Sequence, residues 1–150
     1  MGAGMDDQQV DLLHQLMLGA VCTGISVTIQ TAFMSACLEF LRELSPSPRG
    51  YVVRSGLMAA VVVWFFLSIC VQCWAWAMAF IWLDALEGLE QALYFATVTF
   101  TTVGYGDVVL TPEWRLLGAF TAANGTIVIG WTTALVFVAV QRLFFVEGRD

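Results

Sequence analysis

The sequence predicts an all-α membrane protein with three transmembrane helices and a re-entrant half-helix, followed by an irregular loop, between the second and third. Two observations carry this reading. Residues 57–83 and 116–140 hold no charged side chain, and each run exceeds the roughly 20 apolar residues that cross a bilayer core. Between them lies a stretch too polar to span and too patterned to be a plain connection. A soluble protein could bury such runs only inside a large shell, and a chain of 150 residues that is 59% hydrophobic has no material for one.

The first span, placed at residues 12–44, is the weakest, because Thr23, Ser26, Thr28, Gln30 and Thr31 interrupt it. These residues are not evenly scattered. Gly19, Thr23, Ser26 and Gln30 recur at helical spacing, while Leu18, Val21, Ile25 and Ile29 lie on another side. That pattern predicts a membrane helix with a small, polar stripe facing protein and an apolar one facing lipid. A helix lying on the membrane surface would carry Lys or Arg on its polar face, and a cleaved leader would open with basic residues. The expected outer tail, residues 1–11, instead carries Asp6, Asp7 and Asp11.

Residues 45–50, with Pro46, Pro48 and Gly50, read as a short hinge between antiparallel helices. A second unit is then expected over residues 51–146, made of a helix at 51–83, a half-helix at 88–101 favoured at its start by Asp84 and Glu87, a loop at 102–107 and a helix at 114–146. A helix of that length cannot cross the membrane. Irregular backbone after it is tolerated at membrane depth only where it is buried in protein or lines a watery pathway. Trp82 and Trp114 fall where an aromatic belt would place them.

Charge sets the expected orientation. There are six arginines and no lysine; Arg42, Arg49 and Arg54 join the first two spans, and Arg142 and Arg149 follow the third. Basic connections stay cytoplasmic, so the N-terminus and the segment with Asp84, Glu87, Glu90, Asp107 and Glu113 are expected outside, and the C-terminus inside. A compact chain of this composition suits a plasma membrane, bacterial inner membrane included.

The chemistry lies in Thr101-Thr102-Val103-Gly104-Tyr105-Gly106-Asp107. It offers a cation no charged side chain before its last residue, two glycines free to adopt unusual dihedrals, and a run of carbonyls. Residues 97–107 closely resemble the pore signature of the potassium channel family, and residues 51–146 resemble its outer, pore and inner helices. The resemblance implies passive, potassium-selective conduction through a filter of backbone carbonyls. Thr102, Val103, Gly104 and Tyr105, with the Thr102 hydroxyl, would bind the ions, and Gly106 would close the outer mouth. One chain supplies one loop, so a ring of carbonyls implies a homotetramer around a central pore.

Asp107, Tyr94 and Thr101 are the expected supports of that filter, with Tyr94 either donating to Asp107 or packing at the interface. Val98 stands where some members of the family carry a glutamate, and Phe95 where many have tryptophan. On the third span, Asn124, Ile127, Gly130, Ala134 and Val138 share one face and are candidates for the cavity or gate. Asn124 would face ions or bond a threonine of the half-helix. Gly125 and Gly130 are candidate bending points, with close packing the alternative.

Other chemistry finds little support. Cys70 and Cys73 form a C-x-x-C, but a redox relay would need a second pair, and only Cys22 and Cys37 remain. His14 has no partner ligands at metal-site spacing. No nucleotide-binding motif or catalytic constellation is present, so no enzyme activity, nucleic-acid partner or cofactor is expected, with K+ as the permeant ion at the filter only. Neither of the first two spans carries an arginine ladder, which argues against voltage sensing. An unidentified regulator, membrane tension, the filter or the inner helices would control opening. The rival readings are a weakly selective cation channel and a non-conducting scaffold or partner subunit.

Overall fold

The computed structural model describes residues 3–43 and 50–145, with side chains from Leu12 onward in the first helix. The described residues form four α-helices: α1 (Ala3–Glu43), α2 (Tyr51–Trp82), α3 (Leu89–Phe100) and α4 (Arg115–Val140). Among the described residues three helices are long and apolar enough to cross a membrane. The protein is a multi-pass membrane protein. The expected hinge at residues 45–50 falls, except for Gly50, outside the described residues.

The helix α1 starts earlier than the sequence suggests. Residues 3–11 continue it instead of forming a tail, and nothing between Met5 and Leu12 is a glycine or proline that would stop it. At about 1.5 Å per residue its 41 residues reach roughly twice the hydrocarbon thickness of a bilayer.

Asp84 ends α2 by taking a left-handed conformation, φ 52°. The N–H of Asp84 donates to the Ile81 carbonyl and that of Ala85 to the Phe80 carbonyl, at 3.0 and 2.9 Å. Those two bonds satisfy carbonyls that the last helical turn leaves open. Asp84 therefore closes α2 and does not cap α3; the residue before α3 is Gly88, φ 89°, with no side-chain cap. Glu90, in the first turn of α3, is the acidic residue near the positive end of its dipole.

The helices α1 and α4 run parallel, and both are antiparallel to α2. Trp76 on α2 donates its indole N–H to Ser26, and Trp64 donates to the Phe33 carbonyl, at 3.1 and 3.0 Å. On the other side of α1, Gly19 lies under the ring of Phe120, and Gln30 reaches Thr132. In the expected protein-facing stripe Gly19, Ser26 and Gln30 are buried and Thr23 half-buried; in the expected lipid-facing one Val21 and Ile25 are exposed, but Ile29 is half-buried and Leu18 half-buried against the core. That follows from α1 seating between two helices and not against one.

Two apolar clusters result. One surrounds α3 and holds Cys73, Trp76, Phe80, Ala92, Ala96, Phe100, Leu117 and Val128. The other, toward the far ends of α2 and α4, holds Cys37, Leu41, Val61, Phe65 and Ala139. At its end α4 relaxes into a π-helical turn, Gln141–Phe145.

Candidate functional site: the loop after the half-helix

The loop hangs from the last turn of α3 by backbone bonds. The Val98 carbonyl accepts from the N–H groups of both Val103 and Gly104, at 3.0 and 3.2 Å, and Thr102 N–H donates to the Thr99 carbonyl at 3.0 Å. The Thr101 hydroxyl donates back to the Thr97 carbonyl at 2.7 Å. These bonds fold the chain back at the foot of α3 and start it outward again as irregular backbone.

Handedness then alternates along the loop. Thr102, Gly104 and Gly106 have φ of 63°, 57° and 79°, while Val103 and Tyr105 do not enter positive φ. In a uniform strand successive peptides face opposite ways; alternating left- and right-handed residues can turn successive carbonyls to one side. Glycine takes the left-handed conformation without a Cβ penalty. Thr102, which has a Cβ, is held there by its bond to Thr99.

All six residues from Thr102 to Asp107 are exposed in the single chain. Val103 and Tyr105, apolar in body, are 52% and 73% exposed. An open pocket of about 480 Å³ lies behind the loop, lined among others by Tyr94, Val98, Gly104, Asp107, Arg115 and Gly118. Valine at position 98 leaves this pocket without a carboxylate there.

At its outer end the loop is fastened by side chains. The Tyr94 hydroxyl donates to Asp107 Oδ2 at 2.7 Å, and Asp107 Oδ1 accepts from Val108 N–H at 3.1 Å. Donation from Tyr94 holds the Asp107 carboxyl below the usual carboxylate range, while the same bond to Asp107 pushes the Tyr94 phenol up. Of the two readings open for Tyr94, the structure has the hydrogen bond.

The inner-helix candidates separate into two groups. Ile127, Gly130, Ala134 and Val138 are exposed along one face of α4. Asn124 is buried inside the subunit, 1% exposed. It faces neither solvent nor a threonine partner, since both its amide atoms lack a hydrogen bond among the described residues. Gly125, one residue on, is a close approach: a Cβ there would collide with the backbone carbonyl of Phe100 at the end of α3. Its role in this chain is packing. Gly130 has open space where a Cβ would stand.

The cysteines are free thiols, Cys70 and Cys73 on α2 and Cys22 and Cys37 on α1. Among the described residues no group of three or more His, Cys, Asp or Glu could hold a metal ion. His14 packs its ring near that of Trp114, centroids 6.4 Å apart.

Sequence reasoning missed the contact between Gln30 and the third span, because no local pattern says which helices α1 will touch. No curated protein and no solved structure matches the chain. A scan against protein families matches residues 60–142 to the ion channel family, more than half of the chain and all of the segment from within α2, through the loop, to the end of α4. A half-helix, an irregular loop of alternating handedness and two flanking spans thus coincide with that match, and the chain belongs to the ion channel family.

Proposed function

We propose that four copies of this chain form a potassium-selective pore, with the carbonyls of Thr102, Val103, Gly104 and Tyr105 and the Thr102 hydroxyl as successive rings of ligands, and Gly106 at the outer mouth. The observation that carries this reading is the alternation of φ along residues 102–106. Such backbone presents oxygen without charge, which suits a monovalent cation that must shed its water and leave again quickly. Adjacent sites let one entering ion displace the next, so conduction is passive and needs no cofactor.

Exposure of Val103 and Tyr105 supports the tetramer, since apolar side chains at membrane depth call for a cover that a single chain does not give. The exposed face of Ile127, Gly130, Ala134 and Val138 would line the cavity below the filter. Arginine placement supports an orientation with the loop and N-terminus outside and the C-terminus in the cytoplasm of a plasma membrane. On that side the excess of Asp and Glu raises cation concentration at the mouth. Voltage sensing forms no part of the proposal, because α1 and α2 carry no arginine ladder.

Flux into liposomes containing the purified protein, driven by potassium and repeated with sodium and with barium, tests the proposal. Potassium flux that barium blocks and that Gly104→Ala abolishes is the expected result. Equal sodium flux would replace it with a weakly selective cation channel, and no flux from an assembled tetramer with a non-conducting subunit.

A further inference from the structure

The side chain of Gln30 is fully buried at the centre of α1, between the two apolar clusters. Its Oε1 accepts from the Ser68 hydroxyl and from Gln72 Nε2, at 2.7 and 3.1 Å. Its Nε2 donates to Thr132 Oγ1 at 3.1 Å. One amide therefore holds α2 with its oxygen and α4 with its nitrogen. Ser68 and Gln72 are themselves fully buried, so neither donor has water as an alternative partner. Gln72 Oε1 has no hydrogen bond among the described residues, but the cost of leaving the two donors unpaired as well favours the closed cluster.

Thr132 lies two residues beyond Gly130. The helix α4 runs unbroken through both of its central glycines, from Arg115 to Val140. On the α3 side of Gly130 it is already fixed, with Gly125 against the Phe100 carbonyl. Beyond Gly130 the polar tie to α1 is the Gln30–Thr132 bond. A bend at Gly130 would carry Thr132 away from a partner anchored on two other helices.

We propose that Gln30 is a positioning residue for the gate: through Thr132 it tethers the inner half of α4 to α1 and holds the inner helix straight, in the non-conducting state. The first helix is then a brake on the pore and not only a membrane anchor. This rests on the channel reading above. An interhelical hydrogen bond in a membrane is modest, so the brake is a bias that thermal motion or a regulator overcomes, not a lock.

Single-channel recording of the full-length protein in planar bilayers tests it. Thr132→Val keeps the shape and removes only the acceptor. It is expected to raise the ratio of open to closed time about threefold to tenfold. Single-channel conductance and the reversal potential under opposed potassium and sodium stay as in the parent, which a general loss of packing would not achieve. Gln30→Leu should raise the ratio as well, and the double variant no further than the larger single effect, because both remove the same bond. Thr132→Ser should restore parental gating. Thr28→Val removes a hydroxyl bonded only within α1, to the Gly24 carbonyl at 2.9 Å, and should change nothing.

Should Gln30→Leu fail to assemble, tetramers with one variant subunit among three parental ones carry the measurement. An unchanged or lowered open ratio in Thr132→Val, or additive effects in the double variant, overturns the tether while leaving the pore intact. Absence of potassium-selective current from the parental protein overturns both readings.

Discussion

Two parts of this molecule place polar groups at membrane depth, and they do so in opposite ways. The loop at 102–107 relies on backbone, is exposed along its whole length, and its carbonyls accept no backbone hydrogen bond among the described residues. The cluster around Gln30 relies on side chains, is buried at Gln30, Ser68 and Gln72 and half-buried at Thr132, and makes its bonds within one chain. Bare carbonyls are useful only where something must pass, since unsatisfied groups in a bilayer are costly. Paired side chains are useful only where something must hold. The contrast separates a part that the proposed tetramer would complete from a part whose hydrogen bonds are made within the chain.

The largest expected effect breaks the first part and spares the second. Gly104→Ala puts a Cβ at φ 57°, costing on the order of 1–2 kcal/mol in each subunit and repeated around a tetramer. Selective flux should vanish in the liposome assay, while the helical circular dichroism and detergent stability of the subunit stay near parental values.

Next comes Gly125→Ala, which strikes the seam between the two parts. The added methyl meets backbone, the Phe100 carbonyl, which cannot rotate aside as a side chain would. Overpacking of this kind costs about 1–3 kcal/mol. The melting temperature of the purified protein should fall, and the proposed selectivity should loosen, because Phe100 immediately precedes Thr101 and the loop.

A smaller effect sharpens the comparison through acid. Asp107 has its pKa lowered by the Tyr94 donor, so the fastening is fully present above the ordinary carboxylate pKa and is lost as pH falls through the lowered value. Selective flux against outside pH should therefore hold through mild acid and fail below the ordinary carboxylate range. Tyr94→Phe should move that failure to higher pH while leaving the Gln30 cluster untouched.

The smallest effect belongs to Ser68→Ala. Gln72 still donates to Gln30 Oε1, so the loss should be about 0.6 kcal/mol, read as a slight fall in melting temperature. A loss as large as that of Gly125→Ala would mean that the cluster, and not the close packing of backbone, organises the subunit.

The loop was legible in the sequence through the resemblance of the string from Thr101 to Asp107 to a known pore signature, and Gly104 and Gly106 permit the backbone found there; the left-handed conformation of Thr102, φ 63°, was not readable from residue type. The bond between Tyr94 and Asp107 was readable as an option through the resemblance, which puts Tyr94, with its phenolic donor, among the supports of the loop. What was not legible depends on tertiary contact. Gln30 was seen as part of a protein-facing stripe, but its partners on α2 and α4 follow from where α1 docks, which no spacing encodes. Asn124 shares a helical periodicity with Ile127 and Gly130, yet the packing of α1 and α3 on α4 turns it inward. Asp84 looked like a start signal for α3, and its left-handed backbone makes it the stop of α2 instead.

The close approach of Gly125 to Phe100 also has a mechanical side. It clamps α4 to the foot of the half-helix five residues, or about 7.5 Å, before Gly130. Were α4 to bend at Gly130 as proposed, its lower arm would swing while the upper arm stayed pinned at the root of the loop. On the proposed reading the subunit would divide into a stator and a rotor: the ion sites would keep their dimensions when the pore opens, and each opening would pass ions with the same discrimination as the last.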